Sequence, residues 1–254
     1  MHAVAPRGVA LVTGGARRIG RALCLAVARA GYDVAIHHRS AGQDAKTLAD
    51  EIAALGRKAD AFVADLSQED QVQGLIPAVT ARMGTVTLLI NNASLFEDDR
   101  VGSLGRASWD AHMQTNLRAP LVLAEALAAQ LPPSQDGQII NMLDQRVLKP
   151  NPQFFTYGLT KAALWHATKT LAQALAPHIR VNGVGPGPTL ASIHQAAGEF
   201  AAEAAHTLLQ KPANPQQIAQ AVLYLIDASS VTGQMIAVDG GQHLAWRTPD
   251  IIGD

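Results

Sequence analysis

Only one of the 254 residues is a cysteine, Cys24. An intramolecular disulfide is excluded, and a reducing compartment is the expected setting. Aromatic residues are scarce at 4%, so the interior must be built from aliphatic side chains. Charged residues are sparse too, at 16%, with a net charge of −1. With no basic field, nucleic acid is not an expected partner. No apolar run approaches the roughly 18 residues that would span a bilayer, and the early apolar stretch Gly8–Val12 is too short for a signal-peptide core. The expectation is a soluble cytoplasmic protein with no membrane partner. Nine histidines are present, but they form no His-Glu-x-x-His pattern and have no cysteine cluster to join, so no metal site is expected. A Gly-x-Ser-x-Gly elbow is also missing, which removes the serine-hydrolase reading.

What the chain does have is aliphatic bulk, 48% apolar residues, arranged as short apolar runs alternating with longer helix-like segments. Strands are expected at Val9–Thr13, Asp33–His37, Ala61–Ala64, Val86–Asn91, Gln138–Leu143, Arg180–Val184 and Met235–Val238. Helices are expected at Arg18–Ala30, Ala45–Leu55, Asp70–Met83, Ser108–Gln130 and Tyr157–Leu175. This alternation predicts a single α/β domain of the Rossmann type, a doubly wound parallel sheet with right-handed crossovers. Ligands on such sheets sit beyond the carboxyl ends of the strands. Thr189–Ala213 follows the Gly185-Pro186-Gly187-Pro188 turn and is rich in Ala and Glu. It reads either as a mobile lid over a ligand or as an ordinary surface helix.

The chemistry-bearing residues fall just after strands. The first turn reads Thr13-Gly14-Gly15-Ala16-Arg17-Arg18-Ile19-Gly20. Gly14 permits a tight turn, Gly15 lets the backbone approach a pyrophosphate, and Gly20 allows helix and strand to pack closely. The helix start favours the phosphate charge. The second strand ends in His37-His38-Arg39-Ser40, and no acid occurs between Asp33 and Asp44. A dinucleotide site that prefers a ribose 2′-hydroxyl usually has an acid there. Arg39 instead supplies a planar cation, and Ser40 a hydroxyl, suited to a 2′-phosphate. Tyr157 and Lys161 at i, i+4 share a helix face, where the ammonium would lower the phenol pKa from about 10. Asp144 lies upstream, at the end of the fifth strand. Its carboxyl can carry a proton or accept the N–H groups of a nitrogen heterocycle, but would repel the alkoxide formed from a plain ketone. A simple turn cap is the competing reading of Asp144, and a core aromatic that of Phe96.

Taken in order from Ala10 to Gly241, these motifs resemble those of the short-chain dehydrogenases/reductases. The glycine turn is similar to TGxxxGxG, Asn91-Asn92-Ala93-Ser94 to NNAG, and Tyr157-Gly158-Leu159-Thr160-Lys161 to YxxxK. Asp65-Leu66 and Thr115-Asn116-Leu117 also stand in the family's places. The departures resemble one branch, the pteridine reductases: Arg18 for the middle glycine, Ser94 for glycine, and Asp144 for the usual serine. Phe96, the run His38-Arg39-Ser40, Ile140-Asn141-Met142-Leu143-Asp144 and Val181–Gly187 point the same way.

The resemblance implies NADPH, or NADP, contacted by Gly14, Arg18, Ile19, His38, Arg39, Ser40, Asp65, Leu66, Asn92, Ala93, Ser94, Tyr157, Lys161, Pro186 and Gly187. It implies a catalytic set of Asp144, Tyr157, Lys161 and Asn116. Tyr157 would donate the proton, Lys161 would hold the nicotinamide ribose, and Asn116 would support a relay water beside Lys161. Arg18, Ser94, Phe96, Asp144 and Tyr157 would meet a pterin-like substrate, with Phe96 stacking it against the nicotinamide. The implied activity is reduction of pterins or dihydropterins, with dihydrofolate and dihydromonapterin among them. A ketone or acyl-thioester reductase is one alternative, and a non-catalytic NADPH-binding regulator another. A homotetramer is also implied, with Ser108–Gln130 and Tyr157–Leu175 making the contacts.

Overall fold

A computed structural model describes residues 6–191 and 198–247. Its strands are β1 (Val9–Val12), β2 (Asp33–His38), β3 (Ala59–Val63), β4 (Val86–Asn91), β5 (Gly137–Met142), β6 (Ile179–Pro186) and β7 (Met235–Val238). They form one sheet in the order β3-β2-β1-β4-β5-β6-β7, and every pairing is parallel. The helices are α1 (Arg18–Arg29), α2 (Gly42–Ala54), α3 (Glu69–Met83), α4 (Arg106–Met113), α5 (Ala119–Gln130), α6 (Phe155–Leu175), α7 (Glu199–Ala205) and α8 (Pro215–Asp227).

The interior strand β1, Val-Ala-Leu-Val, is buried throughout, as a parallel strand covered on both faces must be. Alternate residues feed two separate cores. Ala10 and Val12 join Leu23, Ile36, Leu48, Ile90 and Val222 on one side. Leu11 joins Leu75, Leu89, Leu123, Leu127 and Ile139 on the other. Each such side chain contributes roughly 1.5–3 kcal/mol by leaving water. The chain winds outward from β1 through β2 to β3 and then returns to β4 on the other side of β1. That reversal opens a crevice at the carboxyl ends of β1 and β4, where the motifs lie.

Several boundaries differ from the sequence expectation. The helix expected over Ser108–Gln130 begins at Arg106 and is interrupted by a π-helical turn, Gln114–Arg118. The α8 helix is one that the sequence reading leaves out. Its signal is nonetheless present: Asn214 and Gln217 form a capping box with Pro215 in the first turn, a recognisable helix start. Of the expected lid 189–213, residues 192–197 lie outside the described residues. The remainder contains α7 and is tied down by backbone bonds from Leu209 to Gly240 and from Ala213 to Pro188, each 2.9 Å. Among the described residues no helix is long and apolar enough to cross a membrane, and no group of His, Cys, Asp or Glu could hold a metal ion.

Candidate active site

The glycine turn is pinned from two neighbouring strands. The Thr13 hydroxyl accepts from the Asn92 and Ala93 N–H groups at 2.9 and 3.0 Å. The Asn92 amide in turn donates to the Thr13 and Gly14 carbonyls at 2.9 and 3.1 Å. Gly14, Asn92 and Ala93 therefore meet as expected. A Cβ on Gly20 would lie 2.1 Å from the Gly14 carbonyl oxygen, so only glycine lets α1 start this close to β1. At Gly15 the missing Cβ points inward, 2.9 Å from the Cys24 sulfur and 3.0 Å from the Val12 carbonyl, so core packing also requires glycine there.

Two side chains brace this turn in ways the sequence reading does not foresee. His37 is buried at the end of β2. Its Nδ1 accepts the Gly14 N–H at 3.0 Å, and its Nε2 lies 3.0 Å from the Ala64 carbonyl. Because the Gly14 N–H can only donate, the ring proton must sit on Nε2. Burial lowers the His37 pKa to about 4, so the ring is neutral and both bonds persist at neutral pH. A histidine at the carboxyl end of an otherwise apolar strand was the available signal. Arg18 has φ +53°, in the left-handed region that favours glycine. An arginine thus stands in a backbone conformation that glycine favours. Its guanidinium donates to the Leu190 and Ala191 carbonyls at 3.3 and 3.0 Å, which joins the turn to the start of the 189–213 segment.

The remaining expected cofactor residues line the same sheet edge. His38 is buried, and its Nδ1 has no partner. Arg39 and Ser40 are exposed beside it. The Asp65 carboxylate accepts from the Ser67 N–H and hydroxyl at 2.9 and 2.8 Å, bonds that hold it below the usual carboxylate range. Leu66 is buried and Ile19 half-buried. Pro186 closes β6, and the Gly187 N–H donates to Val238 at 3.1 Å. A dinucleotide fits these residues: the turn has no room for a Cβ at Gly20, a buried imidazole nitrogen lacks a partner, and an exposed guanidinium stands at the end of β2.

At the reacting end, the Tyr157 hydroxyl donates to Asp144 Oδ2 at 2.7 Å. Asp144 Oδ1 accepts the Arg146 N–H at 2.8 Å. Asp144 thus makes one contact with each oxygen: Oδ1 caps the turn Gln145–Val147 and Oδ2 faces the phenol. Lys161 Nζ donates to the Met142 carbonyl at 2.7 Å and lies 5.6 Å from the Tyr157 ring centre. Burial raises the Asp144 pKa and lowers that of Lys161 to about 8. The phenol is raised well above 10, first by burial and then by the Asp144 charge. This corrects the expectation that Lys161 lowers it. The ammonium is directed at a backbone carbonyl, whereas the phenol faces a carboxyl. In the protein alone, Asp144 and Tyr157 form a couple that holds its proton tightly.

Asn116 sits in the π turn, almost fully buried. Its Oδ1 accepts from the Leu95 N–H at 2.7 Å and the Ser94 hydroxyl at 3.3 Å. Its Nδ2 donates to the Leu95 carbonyl at 2.9 Å and to the Thr160 hydroxyl at 3.2 Å. The Asn116 side chain is thus committed to protein atoms and ties the loop after β4 to α6. That loop also starts α6, which has no local cap. Asp98 and Asp99 carboxylate oxygens accept the Phe154 and Thr156 N–H groups at 3.3 and 2.9 Å, and the Asp99 carbonyl accepts that of Phe155 at 3.1 Å. Phe96, from the same loop, lies edge-on to Tyr157 with centroids 4.7 Å apart. It also stacks on Phe154 at 4.0 Å.

The chain matches the family model for short chain dehydrogenases over residues 8–202. It is 31% identical to a 3-oxoacyl-[acyl-carrier-protein] reductase FabG of Staphylococcus epidermidis, covering 92% of this chain and 98% of that protein. The fold superposes on FolM alternative dihydrofolate reductase 1 from Brucella canis, complexed with NADP, with a TM-score of 0.94 and 46% identity over 99% of this chain and all of that one. The Brucella suis counterpart, also in complex with NADP, gives a TM-score of 0.93 and 48% identity over the same shares.

Proposed function

The chain belongs to the short-chain dehydrogenase family, and from that premise we propose that this oxidoreductase uses NADPH to reduce the ring of a pterin or dihydropterin. The observation that carries the reading is the 2.7 Å bond from the Tyr157 hydroxyl to Asp144 Oδ2, at a position where the family usually has serine. Two solved structures at 46% and 48% identity carry the name alternative dihydrofolate reductase and hold NADP, which supports both the substrate class and the cofactor.

The cofactor, when bound, supplies a hydride. The protein's part is to deliver one proton and to hold the acceptor. Reducing a ring C=N bond places hydrogen on carbon and a proton on nitrogen, so the developing charge is that of a nitrogen anion. A proton held between a phenol and a buried carboxyl suits such a nitrogen. Tyr157 Oη gives up the proton and Asp144 sustains the phenol or accepts ring N–H groups. Lys161 and the glycine turn orient the dinucleotide, Arg39 and Ser40 meet its 2′-phosphate, and Phe96 offers an aromatic surface to the flat ring. Arg18 holds Leu190 and Ala191 beside the glycine turn.

Reduction of a 3-oxoacyl thioester is favoured by a different observation, the 31% identity to the Staphylococcus reductase. The test is a comparison of initial rates of NADPH oxidation with dihydrofolate, dihydrobiopterin and an acetoacetyl thioester, repeated with NADH. Faster turnover of the dihydropterins, with NADPH preferred, is the expected result. A higher kcat/KM on the thioester would overturn the pterin reading and leave the oxoacyl one standing.

A further inference from the structure

Arg146 lies outside every set of residues expected from the sequence, yet it meets Asp144, Phe96 and Phe154 at the reacting end. Its backbone N–H is the one that Asp144 Oδ1 accepts. Its guanidinium carbon lies 5.5 Å from the Phe96 centroid and 5.1 Å from that of Phe154. Those rings stack at 4.0 Å, nearly parallel. The guanidinium is nearly equidistant from the two rings, within cation–π range of both. One of its nitrogens, Nη1, is buried and has no hydrogen-bond partner. A buried, charged donor left unpaired is costly enough that native proteins rarely keep one without a use.

The surroundings are held in place for it. Phe154 sits at φ +53°, a left-handed conformation unusual for a bulky residue. The Asp98 and Asp99 bonds to the start of α6 maintain it. Phe96, Phe154, Arg146 and Asp144 thus form one wall next to Tyr157. It combines aromatic surface, a carboxyl that accepts N–H groups and a guanidinium with an unused donor.

We propose that Arg146 is a substrate-recognising residue, whose buried guanidinium N–H takes an acceptor oxygen carried by the flat ring system that packs against Phe96. The inference rests on the pterin reading and deepens it: the preferred substrate presents N–H donors to Asp144 and an oxygen to Arg146. That oxygen is either the oxo group of the ring itself or a carboxylate on its side chain. Arg146 also places positive charge near the Asp144–Tyr157 couple, but its recognising role is read in KM.

The experiment uses the full-length enzyme and the variants Arg146→Met and Arg146→Gln, the second keeping an N–H donor without the charge. KM and kcat are measured for dihydrobiopterin, which has the ring oxo group but no carboxylate, and for dihydrofolate, which has both. Arg146→Met is expected to raise KM at least tenfold while KM for NADPH stays within twofold. An equal rise for both substrates assigns the ring oxo group. A rise for dihydrofolate alone assigns the carboxylate. Substrate KM values within twofold of wild type for both, even with a lower kcat, overturn the inference and leave the pterin reading intact. If Arg146→Met does not fold, the same readout on Arg146→Gln decides, with at least a threefold rise expected. A wild type inactive on both dihydropterins overturns the pterin reading and this inference together.

Discussion

Replacing Asp144 by Asn isolates the carboxyl's role. The amide oxygen can still accept the Arg146 N–H that Asp144 Oδ1 takes at 2.8 Å, so the turn survives. What is lost is the charge-capable acceptor 2.7 Å from the Tyr157 hydroxyl. A hydrogen bond of that kind contributes about 1.5–3 kcal/mol. At about 1.4 kcal/mol per factor of ten, kcat/KM for a dihydropterin should fall roughly 10- to 150-fold. The pH profile supplies a second readout. Burial raises Asp144, and burial with the Asp144 charge raises Tyr157, so the wild-type couple keeps its proton to high pH. Its activity declines only as that proton is lost. In the variant the phenol no longer faces a negative neighbour, its pKa drops, and the alkaline decline begins at lower pH. The stability sign is independent of substrate. A raised carboxyl pKa in the fold means that stability is lost as pH rises through it, and Asp144→Asn should remove that slope from melting curves. The assay is NADPH oxidation from pH 5 to 10 with melts over the same range. Unchanged kcat/KM together with an unchanged alkaline limb would refute the proton-holding role.

Lys161→Met should be inactive yet more stable. The folded lysine loses its proton near pH 8 instead of 10.5, so below pH 8 its burial costs about 3 kcal/mol. After subtracting about 1 kcal/mol for the lost bond to Met142, the variant should gain about 2 kcal/mol. That raises the melting temperature by about 5 °C at pH 7, with the advantage shrinking as pH approaches 10.5; an equal or lower melting temperature at pH 7 would count against it. His37→Gln should raise KM for NADPH with little change in kcat. Wild-type stability should fall as pH drops from 6.5 toward 4, because the unfolded chain binds a proton that the folded ring, with a pKa near 4, refuses. The variant's stability should be flatter over that interval, and equal slopes in the two proteins would sink the assignment. The homotetramer expected by resemblance would bury the outer face of α4 and α5, where Met113, Leu117 and Leu121 line a shallow concavity. Leu117→Glu should then shift the mass measured by light scattering to a smaller species, and a wild-type monomer would remove the premise.

The fold was legible because its signals are local. The apolar run Val9–Val12, the glycine turn and α1 announce themselves within about twenty residues, and β2 to β5 are likewise apolar runs each followed by a helix or turn. Strand ends and helix starts were off by a few residues, as with β6, which runs on to Pro186, because the parallel partners set those limits. The site's expected residues were mostly brought to one sheet edge. What escaped were bonds between distant positions. Nothing near Phe154 indicates that Asp98 and Asp99 cap its helix, and the strand Asp33–His38 does not reveal that a Gly14 N–H awaits the His37 ring. The Lys161 effect on Tyr157 was misjudged for the same reason: the i, i+4 spacing gives proximity, whereas the lysine's bond to Met142 decides where its charge points. The α8 capping box was readable in Asn214, Pro215 and Gln217.

The π turn at Gln114–Arg118 makes the helix before Pro132 one residue longer than its span requires. Such a bulge leaves the segments on either side in their own phases. Excising a single amino acid from this turn would let α4 and α5 merge into one regular rod, each half still showing the same stripe to its neighbours. The tether from Asn116 to Leu95 and Thr160 would vanish with the bulge. The protein has in effect stored its active-site clamp in a removable surplus link, separable from the architecture that carries it.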